Sequence, residues 1–234
     1  MMPFLPRKSP VTPQSGQSGN ALWFILLAIA LLTALTIAIT KTGDNVQQAG
    51  ETERATVEAT RIMRDGKAME TAIQQMLARG GSENDICFDS DDWATNDYDF
   101  AACTDAENRV FDPAGAGLGM PKTTATQKII YTGSLAIDGV GTSAPDLVFI
   151  LSGVGKADCL RINRMMKIDD ASGNPPPIST VVSYTPFTGT YAAGNTVTAP
   201  QILQKSAGCV GGNGNAADAL DQDFYHYYHV LIAR

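Results

Sequence analysis

Residues 21–39 read ALWFILLAIALLTALTIAI, and the interpretation of the whole chain depends on this stretch. Among these 19 residues only Thr33 and Thr36 are not hydrophobic, and no charged residue occurs between Lys8 and Lys41. A helix of this length rises about 28 Å at ~1.5 Å per residue, close to the ~30 Å hydrocarbon core of a bilayer. The stretch therefore predicts a membrane-spanning helix, with a buried core helix as the alternative.

Charge divides the chain into a basic leader, a balanced segment and an acidic domain. The first 40 residues carry only Arg7 and Lys8, residues 41–79 carry six acids and six bases, and residues 80–234 carry 18 acids and nine bases. The formal net charge of −7 argues against nucleic acid as a partner, because phosphate binding needs a basic face. The positive-inside rule keeps Arg7 and Lys8 in the cytoplasm. We therefore expect a single-pass inner-membrane protein whose acidic domain faces the periplasm or the cell exterior.

The segment after the apolar stretch has the composition of a helix. Residues 44–79 contain no proline and are rich in Ala, Gln, Glu and Arg, although Gly50 and Gly66 interrupt the pattern. Its apolar residues recur on one helical face: Ile62, Met69, Ile73, Met76 and Leu77. This pattern predicts an amphipathic helix that packs on the following domain and ends at Gly80 and Gly81.

The acidic domain has the pattern of a small sheet with one short helix. Short β-branched or aromatic runs predict strands at residues 128–131, 146–151, 180–184 and 224–233, and residues 157–168 predict a helix. The predicted class is therefore α+β, with a long N-terminal helix (transmembrane, then amphipathic) packed on a small, mostly antiparallel β-sheet head. The predicted domains are a leader at 1–19, a transmembrane helix at 20–40, a stem helix at 41–80 and an extracytoplasmic head at 81–234.

All four cysteines lie in the acidic domain, and none belongs to a CxxC pair: Cys87, Cys103, Cys159 and Cys209. An even number of widely spaced cysteines in an exported domain indicates disulfides rather than a metal site. Four cysteines allow three pairings. We expect the local pairing, Cys87–Cys103 with Cys159–Cys209.

Two groups of residues could bind a metal. One is acidic and offers the oxygen ligands that calcium prefers, without the EF-hand spacing: Asp89, Asp91, Asp92, Asp97 and Asp99. The other consists of His226 and His229, whose odd separation places them on opposite faces of the last predicted strand. We therefore expect no shared histidine metal and no resident cofactor, with loop calcium as the open alternative.

No catalytic motif is present in the sequence. The segment Gly153-Val154-Gly155-Lys156 lacks the Ser or Thr that follows the lysine of a phosphate-binding loop, because Ala157 occupies that position. No GxSxG or GxGxxG occurs. The sequence predicts a protein that acts by assembly or binding and is not an enzyme.

The junction between leader and apolar stretch resembles one known family. Ser18 and Gly19 stand directly before Asn20, and the apolar run leads into a long helix and a cysteine-containing domain. This organisation resembles the type IV pilin-like proteins, which include minor pilins and the pseudopilins of type II secretion. The resemblance implies that a prepilin peptidase cuts between Gly19 and Asn20. It also implies other pilin-like subunits and membrane lipid as partners, in a pilus or a secretion pseudopilus.

The chain departs from this family at Phe24, the fifth position after the implied cut, where members usually carry glutamate. That carboxylate offsets the α-amino charge of a neighbouring subunit in an apolar filament core, where an unpaired charge is costly. Its absence indicates a minor or accessory subunit rather than a major pilin. The alternative is a single-span, membrane-tethered extracytoplasmic binding protein that does not polymerise.

Overall fold

The structure is a computed structural model, and the residues it describes are 18–90, 97–170, 173–178, 185–192, 194–212 and 225–234. The side chains of residues 18–21, 38 and 40–49 are outside that description. The chain forms two compact units, Met1–Glu51 and Thr52–Arg234. Helix α1, Ser18–Ala78, contributes its first part to one unit and its last part to the other.

The first unit corrects the membrane prediction. In the part of the chain that the structure describes, no helix combines the length and the apolar character that a bilayer crossing requires. This finding overturns the transmembrane helix predicted at 20–40 and the single-pass inner-membrane location predicted with it.

The second unit is built on a five-stranded sheet with the strand order β3-β1-β2-β5-β4. The strands are β1 (Lys128–Ile137), β2 (Asp146–Val154), β3 (Asn195–Val197), β4 (Ala207–Gly211) and β5 (Tyr225–Ile232). The pairs β1–β2, β2–β5 and β4–β5 are antiparallel, whereas β1 and β3 are parallel. Parallel neighbours need a long crossover, and the chain passes through β2 and helix α2 (Lys156–Met166) before it reaches β3. The predicted fold class is corrected accordingly: the sheet is mixed, and no described helix is a membrane span.

Most of the elements predicted for this unit are confirmed. The runs at 128–131, 146–151 and 224–233 correspond to β1, β2 and β5, and the run at 157–168 corresponds to α2. The run at 180–184 lies outside the described residues. Short 3₁₀ helices, which were not predicted, occur in the described part at Ala101–Thr104, Ala106–Asn108 and Pro200–Ile202.

From residue 52 onward, α1 covers one face of the sheet. The predicted apolar face is confirmed: Ile62, Met69, Ile73 and Met76 are buried in one core cluster, and Leu77 packs against it partly buried. The sheet contributes Tyr131, Phe149, Tyr227 and Leu231, among others, to the same cluster. Burying a side chain of this size contributes roughly 1.5–3 kcal/mol. The contact is therefore strong enough to make this part of α1 integral to the second unit.

Glycine ends α1 as predicted. Gly80 has φ +98°, a value that favours glycine, and the Gly81 amide donates to the Met76 carbonyl. The other face of the sheet is covered by the segments after α2 and before β4, which supply Ile168, Ile178 and Ile202 to a second core cluster. Both faces are thus buried, which explains why nearly every residue of β1, β2 and β5 is inaccessible to solvent.

Candidate functional site

The part of α1 at residues 22–37, hereafter the apolar segment, exposes large hydrophobic side chains. Their exposed fractions run from 43% at Leu27 to 68% at Leu32. The eleven residues are Leu22, Trp23, Phe24, Ile25, Leu26, Leu27, Ile29, Leu31, Leu32, Leu35 and Ile37. At 3.6 residues per turn, consecutive residues point in all directions around the axis. The segment is therefore apolar on every side, a pattern typical of helices that are surrounded by other apolar groups.

The two threonines of the apolar segment bond within the helix. Thr33 Oγ1 donates to the Ile29 carbonyl at 2.8 Å, and Thr36 Oγ1 donates to the Leu32 carbonyl at 2.6 Å. Such back-bonding is the usual way in which a hydroxyl is satisfied in an apolar setting. A partner of this surface would consequently be held by apolar contact and shape.

The residues of the implied prepilin cut lie at the start of α1. Gly19 and Asn20 are in its first turn, and the Asn20 side chain is outside the described set. Phe24, at the fifth position after the cut, is 61% exposed and belongs to the apolar segment. The cleavage itself, and the role of Phe24, stay predictions.

The disulfide pairing is confirmed. Cys87–Cys103 and Cys159–Cys209 both have their Cα atoms 5.4 Å apart, at sequence separations of 16 and 50. The first closes the acidic loop, where Cys87 also exchanges backbone hydrogen bonds with Asn108 and Val110. The second ties α2 to the edge strand β4. Both crosslinks therefore lie in the second unit.

Asn163, which the sequence did not single out, completes the attachment of α2 to β4. Its Oδ1 accepts from the Cys209 amide at 2.9 Å, and its Nδ2 donates to the Cys209 carbonyl at 2.9 Å. Asn163 is fully buried, one helical turn after Cys159. Its amide therefore takes the place of a neighbouring strand on the outer edge of β4. The spacing of four residues from a cysteine is the only sequence signal for it.

The acidic loop shows no metal site in its described part. Asp91 and Asp92 lie outside the described residues, whereas Asp89, Asp97 and Asp99 lie within them. Across the described residues, no group of three or more His, Cys, Asp or Glu side chains is arranged to hold a metal ion. The described residues therefore offer no set of ligands for the calcium ion considered as an alternative.

The two histidines lie on opposite faces of β5, as predicted. His229 faces α1 and bonds through both ring nitrogens: Nε2 lies 2.7 Å from Glu70 Oε2, and Nδ1 lies 2.8 Å from the Tyr227 hydroxyl. An ionised Glu70 can only accept, so we assign the ring proton to Nε2 and the acceptor role to Nδ1. The tyrosine hydroxyl then donates to Nδ1. Sequence reasoning missed this chain of contacts, because 159 residues separate Glu70 from His229.

Burial affects the pKa values of all three groups in this cluster, Glu70, His229 and Tyr227. Desolvation lowers the pKa of His229, and the hydrogen bond to Glu70 offsets that effect only in part. Burial works to raise the pKa of Glu70, but hydrogen bonds from Lys67 and His229 outweigh it, so the pKa of Glu70 is lowered. Burial also raises the pKa of Tyr227. At neutral pH the cluster therefore contains a carboxylate, a neutral imidazole and a neutral phenol.

Gly66 explains how side chains of β5 come this close to α1. A Cβ atom at Gly66 would lie 2.7 Å from the Tyr227 hydroxyl and 2.9 Å from His229 Nδ1, too close for either. The glycine that interrupts the helical sequence pattern is thus a point of close packing. By contrast, a Cβ at Gly50 would meet nothing within 4 Å.

The segment Gly153-Val154-Gly155-Lys156 covers the end of β2 and the start of α2. Gly153 has φ +79° and packs against the Thr126 carbonyl, and Gly155 is the N-cap of α2. Its glycines thus have a local structural purpose, and phosphate binding need not be invoked for them.

Comparison with known proteins identifies no relative: no protein-family model matches the chain, and no curated protein or solved structure is significantly similar to it. Function has to be inferred from the residues of this chain.

Proposed function

We propose that this chain is a pilin-like assembly subunit, minor or accessory, which joins other pilin-like subunits in a pilus or a secretion pseudopilus. The observation that carries the proposal is the apolar segment, with eleven large hydrophobic side chains exposed around one helix. Covering each of them would contribute roughly 1.5–3 kcal/mol. A helix that is apolar on every side needs neighbours on several sides, and a bundle of subunit helices supplies them.

The second unit supports the same proposal by its construction. Two disulfides and a core on each face of the sheet make a unit that can be displayed by an assembly. We propose that it acts through contacts with other proteins and not through catalysis.

Phe24 bears on which subunits are its partners. A filament made only of this chain would bury an α-amino charge per subunit with no carboxylate at position 24 to offset it, at a cost of several kcal/mol. We therefore propose assembly with subunits that do carry an acid there. Phe24→Glu should raise incorporation into the body of a filament. Purified protein that polymerises alone into regular fibres would contradict this.

Processing tests the proposed family relationship. When the chain is co-expressed with a prepilin peptidase, intact-protein mass spectrometry should find a mature protein that begins at Asn20. The Gly19→Leu variant serves as the control and should remain uncut. A mature protein that retains Met1, or begins near residue 40, would overturn the pilin-like proposal.

Assembly tests the role of the apolar segment. Ile29→Glu places a charge in the segment, at a side chain that is 56% exposed, and should remove the subunit from crosslinked complexes with its pilin-like partners. Val57→Glu is the matched control, because Val57 lies on the same helix and is 71% exposed but outside the segment. If Ile29→Glu assembles as well as Val57→Glu, the apolar segment is not the contact surface.

A further inference from the structure

We propose that Glu70, His229 and Tyr227 form a pH-sensitive latch, which holds α1 against β5 at neutral pH and loosens when His229 takes up a second ring proton. The latch joins two elements that are far apart in the chain, through contacts of 2.7 and 2.8 Å. The imidazole is its central member, with a side chain only 8% exposed.

In the closed state each group has one complementary role. The Tyr227 hydroxyl donates to His229 Nδ1, and His229 Nε2 donates to the Glu70 carboxylate. The second carboxylate oxygen of Glu70 accepts from Lys67 Nζ at 2.7 Å. Each of these three hydrogen bonds therefore has one donor and one acceptor. The arrangement requires a neutral imidazole, because Nδ1 has to accept.

No other titratable group is paired with the ring in the described surroundings. On the sheet, the residues that pair with His229 in the neighbouring strands are Phe149 of β2 and Ala207 of β4, both apolar. On α1, the charged groups that act on the His229 ring are Glu70 and Lys67, and Asp65 acts electrostatically on Tyr227. Uptake of a proton by His229 can therefore be balanced only by Glu70, whose charge Lys67 already shares.

Protonation creates a conflict at Nδ1. A cationic imidazole donates from both nitrogens, so Nδ1–H would meet a hydroxyl that already points its proton at the same atom. Tyr227 is only 1% exposed, so its hydroxyl would have to find a new acceptor without help from bulk water. The conflict falls beside Gly66, where side chains of β5 pack tightly against α1, and separation of the two elements relieves it.

The sign of the pH effect follows from proton binding. Burial holds the pKa of His229 below its ordinary value in the folded state, so the unfolded or opened chain binds more protons as the pH falls below that ordinary value. Stability of the contact is therefore full at neutral pH and decreases in mild acid. The lowered pKa of Glu70 acts in the same direction at lower pH.

Hydrogen exchange of the full chain, kept in solution by a mild non-ionic detergent, tests the latch. Between about pH 7.5 and about pH 5.5, where histidine titrates, amide protection at residues 66–74 should fall several-fold after correction for intrinsic exchange. His229→Gln keeps a donor toward Glu70 but cannot titrate, so its protection should be flat with pH. His226→Gln removes the only other histidine and should keep the dependence of the unmodified chain.

Equal pH dependence in His229→Gln and the unmodified chain, or no dependence in the unmodified chain, would overturn the proposal. If His229→Gln fails to fold, the two histidine signals in the NMR spectrum of the unmodified chain decide the matter. The latch requires the His229 signal to titrate with a midpoint below the pH at which free histidine titrates. It also requires this titration and the loss of amide protection to occur over the same pH range. Titration at or above that pH would rule it out.

Discussion

Helix α1 presents two kinds of surface, and they differ in where their apolar residues lie. In the apolar segment, large hydrophobic side chains point in every direction and are exposed, whereas from residue 52 onward one stripe of them is buried against the sheet and Val57 is exposed outside it. Ile25 is 59% exposed and Ile73 is inaccessible, although both are isoleucines in the same helix. A one-sided stripe needs one covering surface, and the sheet of the same unit provides it. A surface that is apolar all round needs several, and we propose that other subunits provide them.

The largest effect should come from removing the long-range crosslink of the second unit. In the chain-entropy description, the Cys159–Cys209 bond, which spans 50 residues, contributes about 4 kcal/mol, and the Cys87–Cys103 bond, which spans 16, contributes about 3 kcal/mol. Replacing Cys159 and Cys209 by serine should therefore destabilise the second unit more than replacing Cys87 and Cys103. Urea unfolding followed by near-ultraviolet circular dichroism measures both. The reverse order would show that loop entropy does not govern these bonds.

Truncation of equivalent isoleucines tests the comparison directly. Ile73→Ala should lower the free energy of unfolding by about 3 kcal/mol, because it leaves a cavity between α1 and the sheet. Ile25→Ala should change it by less than about 0.5 kcal/mol, since the side chain is 59% exposed. Urea unfolding of the two variants in parallel provides the measurement. Comparable losses would mean that the apolar segment is packed against the protein itself.

Replacing two glycines of α1 by alanine should give the smallest changes in the free energy of unfolding, and the two changes should have opposite signs. Gly66→Ala should destabilise by about 1–2 kcal/mol, because its Cβ would press on Tyr227 and His229. Gly50→Ala should stabilise the helix by roughly 0.5–1 kcal/mol, since alanine is the better helix former and the space is open. Thermal unfolding by circular dichroism distinguishes them. Stabilisation by Gly66→Ala would contradict the close packing at that position.

Sequence patterns formed by residues close together in the chain predicted much of this fold. The periodicity of Ile62, Met69 and Ile73 identified the buried stripe of α1, and β-branched runs identified β1, β2 and β5. The local disulfide pairing, expected as one of the three that four cysteines allow, is the pairing observed. In the helix and strand patterns the determining residues lie near one another in the sequence, whereas Cys159 and Cys209 are 50 residues apart.

What the sequence did not predict depends on distant contacts or on context. Strands β3 and β4 are three and five residues long and become strands through pairing with β1 and β5. The Glu70–His229 contact and the Asn163–Cys209 clamp each join residues remote in the sequence. The membrane prediction failed for another reason: the hydropathy of residues 20–40 predicts a span, but no described helix has the length and apolar character of one.

The two hydrogen bonds between the Asn163 side chain and the Cys209 backbone limit how this protein can associate. An open strand edge is a template onto which another chain can add its own strand, and such addition has no natural end. At Cys209 the outer edge of β4 is already satisfied by Asn163, and at Gly211 by the Pro176 carbonyl and the Ile178 amide. A second molecule therefore finds no free backbone groups at these two positions with which to continue the sheet. Growth through sheet-to-sheet propagation, the route to amyloid, is therefore blocked at these two positions.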